Sequence, residues 1–265
     1  MTQTQGKGES VFGRIENPVQ GFNPLSTIGG LNADMLMDNG YLLLAAGETH
    51  AFGSGTKETA ILLLSGDVEY VWQGNSVLAS RADSFKAGPW CLHIPCGAHA
   101  VVTALKNAEL FVSAAENEAA FASVLYTPEN TACTEAGRDD LQGTARRDIR
   151  TVFDYASAPH SNLVMGEVVG YPGRWSSYPP HHHAQPELYF FRFDKPQGFG
   201  ACFIGDEAFM TRHLSCAAIP GGLAHPQAAA PGYMLHYVWV IRHLPGNPWK
   251  AERRILPEHE WLTRL

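Results

Sequence analysis

Positive charge is scarce in this chain. Lys and Arg number 19 against 26 Asp and Glu, a formal net charge of -7 at pH 7, and no run of basic residues breaks that balance. Nucleic acid and anionic membrane surfaces, which bind through clustered cations, are therefore not expected as partners. Long apolar runs are missing too, and nothing approaches the ~18–20 residues a bilayer-spanning helix requires. The opening stretch MTQTQGKGESVFGRIENPVQG is polar, without the apolar segment of a signal peptide. A cytoplasmic protein is expected. Cysteine is sparse and carries no pairing pattern: Cys91, Cys96, Cys133, Cys202 and Cys216 are odd in number and include no C-x2-C. That supports neither a disulfide framework nor a thiolate zinc site, so reduced and partly buried thiols are expected.

What is plentiful is glycine (26) and proline (17), within a chain that is 45% hydrophobic and 17% charged. This composition belongs to a globular protein with many short strands joined by tight turns. A length of 265 residues suits one large domain or two ordinary ones. Residues 1–30 show little periodicity and are expected to form an irregular arm along a sheet edge. Short strands follow at 41–46, 59–65, 68–74, 91–95, 100–105 and 109–115, and ENEAAFASVL at 116–125 favours a short helix. The polar stretch 126–150 is expected as a linker. Strand signals resume at 163–170, 187–193, 198–204, 209–214, 216–220 and 234–242, with a tail from Pro245 that packs back on them. The spacing predicts an all-β sandwich or barrel architecture.

Chemistry concentrates in GRWSSYPPHHHAQPE, residues 173–187. On an extended strand His181 and His183 project to the same face. Pro186 suggests a turn that brings Glu187, at the head of ELYFFRF, back past them. In IPGGLAHP, Pro220, Gly221 and Gly222 form a tight turn that ends at His225. Three imidazoles and one carboxylate suit Zn, Mn, Fe(II), Co or Ni, and leave part of an octahedral shell for substrate.

The two halves repeat one another. TKETAILLLSG matches QPELYFFRF, and LHIPCGAHAVVTA matches AAIPGGLAHPQAA. The repeats divide the chain into an N-terminal unit at 31–125 and a C-terminal, metal-binding unit at 151–265. In the first half Phe52 and Ser54 stand where the second has His181 and His183. Glu58 and His99 alone cannot hold a metal well, so the first unit is expected to be structural, with His99 a hydrogen-bonded core or pocket histidine.

The H-x-H-x3-E and P-x-G-x2-H segments resemble the two cupin motifs, and their duplication resembles a bicupin with two tandem double-stranded β-helix (jelly-roll) barrels. More narrowly, WSSYPPHHH, ELYFFRF, PQGFG, AHPQAAAPGY, Trp249 and GRDDLQGTARRDIR resemble the 5-deoxy-glucuronate isomerase family of inositol catabolism, a likeness that covers most of the chain. It implies an aldose-ketose isomerase that converts 5-deoxy-D-glucuronate to 5-dehydro-2-deoxy-D-gluconate. It also implies one divalent metal on His181, His183, Glu187 and His225, zinc first, with Mn, Fe, Ni or Co as alternatives. A related uronate isomerase of the 5-keto-4-deoxyuronate type, or a non-catalytic sugar-acid-binding cupin, is the alternative. The chain departs from the family at Ala201, Cys202, TRHLSC and the VWVIRH ending, all on strands expected to line the barrel.

Such an isomerisation takes a proton from the carbon beside a carbonyl and returns it to the old carbonyl carbon, and a metal stabilises the negative charge that develops between. Candidates for moving that proton are Tyr189, on the face of Glu187 by alternation, with Tyr233, His213 and His236. The sugar-acid carboxylate requires a guanidinium. Arg174 and Arg192 are the candidates, although alternation turns Arg192 away from Glu187, and Arg242 is a third. Exposed strand edges imply a homo-oligomer, a dimer.

Overall fold

Short apolar runs set between turn residues recur through both halves of the chain, and both halves form antiparallel sheets. The computed structural model describes residues 11–53 and 55–264. The first ten residues of the expected arm, Ser54 and Leu265 lie outside the described residues.

In the N-terminal half the long strand Lys57–Trp72 belongs to two sheet surfaces. Its first part pairs with Trp90–Ile94 and Ala108–Glu116, its second with Asn75–Arg81 and His99–Ala104. The bend between them falls at Gly66, where φ is +111° and a Cβ would lie 2.5 Å from the carbonyl oxygen of Asn107. Only glycine allows the strand to curl there. The curled strands enclose Leu42, Ile61, Leu63, Tyr70, Leu92 and Val102.

The C-terminal half carries a sheet in the order Phe12–Arg14, Ser215–Ile219, Glu187–Phe193, Leu235–Arg242, Leu163–Gly170, Arg147–Phe153 and Ala132–Ala136. A second sheet orders Trp175–Ser176, Gln227–Ala229, Phe199–Ile204 and Glu207–Arg212. Strand Glu187–Phe193 shows how one strand serves two cores. Tyr189, Phe191 and Phe193 point into the C-terminal core, while Leu188 and Phe190 point into a third core shared with Tyr41, Leu62 and Phe111 of the first half. Phe190 is fully buried in that shared layer; its removal to alanine costs about 3–5 kcal/mol by the usual cavity penalty.

Polar side chains also bridge the halves. Arg81 and Glu167 meet through two 2.7 Å hydrogen bonds at full burial. Glu58 accepts from the backbone N–H of Asn162 at 2.6 Å and from the Ser161 hydroxyl at 2.9 Å, and lies 2.8 Å from His93 Nε2.

Several sequence expectations change. No helix forms at 116–125; residues 117–123 are irregular and lead into strand Val124–Tyr126. Asn117 Oδ1 accepts from the N–H of Ala119 and its side-chain amide reaches the carbonyl of His160, a local alternative that competes with helix bonding. The polar stretch 126–150 is more than a linker, because strand Ala132–Ala136 and the start of Arg147–Phe153 extend the C-terminal sheet. Its polarity reflects a solvent-facing edge. His99 is exposed rather than in a core or pocket. The arm is more regular than expected: Phe12–Arg14 pairs with the C-terminal sheet edge and Gly21–Ser26 with strand Asp38–Leu44.

Candidate metal centre

Three short pieces of backbone bring the predicted ligands together. His181–His182 is a two-residue strand paired with Arg254–Ile255 of the C-terminal tail. Glu187 opens its strand opposite Ile219 on one side and Ile241 on the other. His225 follows the Pro-Gly-Gly turn, and the glycines explain the approach. A Cβ on Gly221 would lie 2.0 Å from the carbonyl oxygen of Ala184, and Gly222, at φ +90°, donates its N–H to the carbonyl of His183 at 2.7 Å. The turn therefore docks directly on the loop carrying the other histidines.

Each histidine is oriented through Nδ1. His181 lies 2.8 Å from the Pro179 carbonyl, His183 2.9 Å from that of Gln185 and His225 2.8 Å from that of Leu223. A carbonyl only accepts, so Nδ1 carries a proton, and whenever the ring is neutral its Nε2 presents a lone pair. Two of those atoms face Glu187 Oε2, at 3.0 Å from His183 and 3.1 Å from His225. Lone pairs aimed at a carboxylate oxygen repel it, and a cation among them or protons on the rings relieves that repulsion. Donor atoms of His183, Glu187 and His225 lie within 4.8 Å of one another, and all three residues are buried. His181 stands outside this tight trio, with its ring centroid 5.5 Å from that of His225, and lines the same cleft. Burial alone favours a protonated Glu187, but where the rings of His183 and His225 carry the protons their hydrogen bonds outweigh it and hold the carboxyl down at about 2. Burial, then the charge of His225, pushes His181 down to about 3. An ionised carboxylate and imidazoles oriented through Nδ1 form a donor set that fits a borderline divalent ion.

The ligands line a narrow cleft that is open to solvent. At its side the SSYPP segment builds a hydroxyl network: the Tyr189 hydroxyl lies 3.1 Å from Ser177 Oγ, and the Tyr237 hydroxyl donates to Ser176 Oγ at 3.1 Å. Ser176 in turn donates to Gln227 Oε1 at 3.3 Å. Ser177 holds φ +51° and the Tyr178–Pro179 peptide is cis. Burial, then the charge of Glu187, pushes the Tyr189 phenol well above its usual range, and burial raises Tyr237 as well. Both are neutral proton carriers at physiological pH.

Of the expected proton-moving residues, the structure brings only Tyr189 to the cleft. Tyr233 packs its ring against Phe199 at 5.9 Å. His213 Nδ1 accepts from the backbone of Phe193 at 3.2 Å, and His236 faces Glu167 at 3.1 Å. Neither expected carboxylate-binding arginine lines the cleft. Arg192 points toward the first half, as alternation requires, and donates to Ser84 Oγ at 2.9 Å and Glu109 at 2.5 Å. Arg174 does not line the cleft; its backbone bonds to Tyr171 and Ala229 in the turn before the metal segment. Arg242 donates to carbonyls of Asn162, His243 and Glu116 between the halves. The cations that do line the cleft are Arg147, within the GRDDLQGTARRDIR segment but not singled out there, and Arg253. Tyr237, Trp239 and Ile241 also face it, and the alternation of YVWVI opposite ELYFF is the signal that identifies them.

No helix among the described residues is long and apolar enough to cross a membrane. The chain is 26% identical to the 5-deoxy-glucuronate isomerase of Geobacillus kaustophilus over 238 residues, 83% of each sequence. Its fold is that of an IolB-like protein from Salmonella typhimurium, with a TM-score of 0.86 at 21% identity, covering 96% of this chain and 99% of that one. An oxalate decarboxylase of Lactobacillus farciminis shares the fold more loosely, with a TM-score of 0.69 at 11% identity over 98% of this chain and 92% of that one. The all-β cupin fold is thus common to all three structures. The profile of the KduI/IolB family matches residues 17–262. On that match, which spans both halves and every predicted metal ligand, the chain belongs to the KduI/IolB family.

Proposed function

We propose that the protein is a metal-dependent aldose-ketose isomerase that converts 5-deoxy-D-glucuronate to 5-dehydro-2-deoxy-D-gluconate in inositol catabolism. One observation carries the reading: three carbonyl-oriented imidazoles and an ionised Glu187 face one cleft, beside a buried phenol that holds a proton. Relatives named 5-deoxy-glucuronate isomerase support the choice of substrate. His183, Glu187 and His225, with His181 beside them, would hold the ion, zinc before Mn, Fe, Ni or Co. When bound, such an ion supplies Lewis acidity at the carbonyl and the neighbouring hydroxyl.

The chain supplies the rest. Tyr189 keeps its proton because burial disfavours the phenolate, so it donates at its hydroxyl to a substrate oxygen that gains charge. Ser177 fixes that hydroxyl from 3.1 Å. Trp239, Ile241 and Trp249 form apolar wall and keep bulk water from the reacting carbons. The same reading takes the two halves as tandem cupin barrels, the first without metal because Glu58 is engaged with Ser161, Asn162 and His93. It places the protein in the cytoplasm as a homodimer.

The test is NMR observation of 5-deoxy-D-glucuronate incubated with metal-loaded and chelator-treated protein, with 5-keto-4-deoxyuronate as the comparison substrate. Conversion of the first, lost on chelation, is expected. Absence of conversion at full metal occupancy overturns the proposal.

A further inference from the structure

Fourteen residues line the metal cleft, and they include two guanidiniums, Arg147 and Arg253, but a single carboxylate, Glu187. That carboxylate is engaged by His183 and His225. Arg147 donates only to the carbonyl of Ala145, at 2.7 Å, and Arg253 makes no hydrogen bond or ion pair among the described residues. The two cations arrive from opposite ends of the C-terminal half. Arg147 begins the strand Arg147–Phe153, which runs beside Leu163–Gly170, while Arg253 precedes the tail strand that pairs with His181–His182. The N–H of Leu256 donates to the carbonyl of Pro180 at 3.0 Å, so the tail is held against the same segment that carries a predicted ligand. The guanidiniums sense each other: burial chiefly, with the charge of Arg253 acting in the same direction, depresses the pKa of Arg147. Neither guanidinium has a carboxylate partner among the described residues, and a carboxylate is the group whose geometry matches guanidinium forks.

We propose that Arg147 and Arg253 form the anion-binding end of the cleft and seat the carboxylate of a sugar acid, with Arg253 delivered by the C-terminal tail as a specificity-determining residue. This assignment rests on the isomerase reading for the substrate's identity but not for its charge. It makes the cleft selective for uronates over neutral sugars of the same shape. The two arginines are positioning residues, since they act on the end of the substrate remote from the reacting carbons.

The experiment measures binding of D-glucuronate and of D-glucose to the full chain, by calorimetry, with and without bound zinc. Wild type is compared with R253Q, R253K and R147Q. Arg253 is exposed, so R253Q is not expected to disturb folding, and circular dichroism checks R147Q. Glucuronate affinity should fall about ten- to hundredfold in R253Q and R147Q, and R253K should recover part of the loss. Glucose binding and zinc content should not change. In turnover, KM should rise by a similar factor while kcat falls less than about threefold, the pattern of uniform binding. Unchanged glucuronate affinity in R253Q and R147Q, or no preference of wild type for glucuronate over glucose, overturns the proposal. Arginine-dependent glucuronate binding without conversion of either uronate would leave it standing and overturn the isomerase reading instead.

Discussion

Arg81 and Glu167 lie fork to fork at the centre of the contact between the two halves, each nitrogen 2.7 Å from its oxygen and neither side chain exposed. Arg81 also donates to the carbonyls of Leu63 and Ala87, so one guanidinium ties two segments of the first half to a strand of the second. Attraction in so dry a place is offset by the desolvation of both ions. The pair therefore stabilises less than its geometry suggests, and breaking it is costly.

Glu167→Ala should accordingly destabilise the fold by about 3–5 kcal/mol, because Arg81 is left charged and buried without its partner. The double variant R81M/E167M should cost clearly less than that single change. Urea denaturation of the three proteins checks it, and a larger loss in the double variant would contradict the argument.

Glu187→Gln keeps the shape of the candidate metal site but removes its carboxylate. Zinc affinity should fall by at least about a hundredfold, while the apoprotein remains folded. Metal content after dialysis, with circular dichroism as the control, decides the matter.

Tyr189→Phe removes a phenolic proton from the lining of the cleft and leaves Ser177 without its 3.1 Å partner. Turnover should drop about 10²–10⁴-fold with zinc content intact. A KM effect without a kcat effect would instead mark Tyr189 as a binding residue.

Acid should weaken the fold through His236, which burial, in spite of the nearby charge of Glu167, pushes down to about 4. Its folded pKa lies below the unfolded value of about 6.5, so above that pH both states are neutral and nothing is lost. As pH falls from about 6.5 toward 4 the unfolded chain takes up the proton first, and stability declines by up to about 1.4 kcal/mol per pH unit. Glu167 acts in the opposite range. Its carboxyl is held well below the ordinary value, against its own burial, by Arg81 and His236, so its contribution persists through that window and disappears only at lower pH. Denaturation midpoints at pH 7.5, 6 and 5 should fall in that order, and His236→Gln should flatten the trend.

The clustering of His183, Glu187 and His225 was legible because their positions follow local rules. Alternation over His181 and His183, a proline before Glu187 and a Pro-Gly-Gly turn before His225 each constrain a few neighbouring residues. Strand existence was legible from short apolar runs separated by Gly, Pro, Asn and Asp turns. Alternation also placed Arg192 away from the cleft, where it is bound to Ser84 and Glu109. Arg147 and Arg253 could not be found this way, because each reaches the cleft through pairing between distant segments. Tyr237 and the two serines sit between these extremes: the motif marked the serines, but their phenol partners depend on register across strands. At 116–125 the helix propensity of alanine and glutamate gave way to the side-chain bonds of Asn117.

The pairing of Phe12–Arg14 with the strand Ser215–Ile219 sets the timing of assembly. Arg14 reaches the carbonyl of His213, 199 positions further along the chain. As the polypeptide leaves the ribosome, that amino-terminal strand waits without a docking place through most of synthesis. The C-terminal sheet is completed at this edge only after nearly the whole chain has emerged, so its closure is a late, long-range event, slower than the nearby hairpins that precede it.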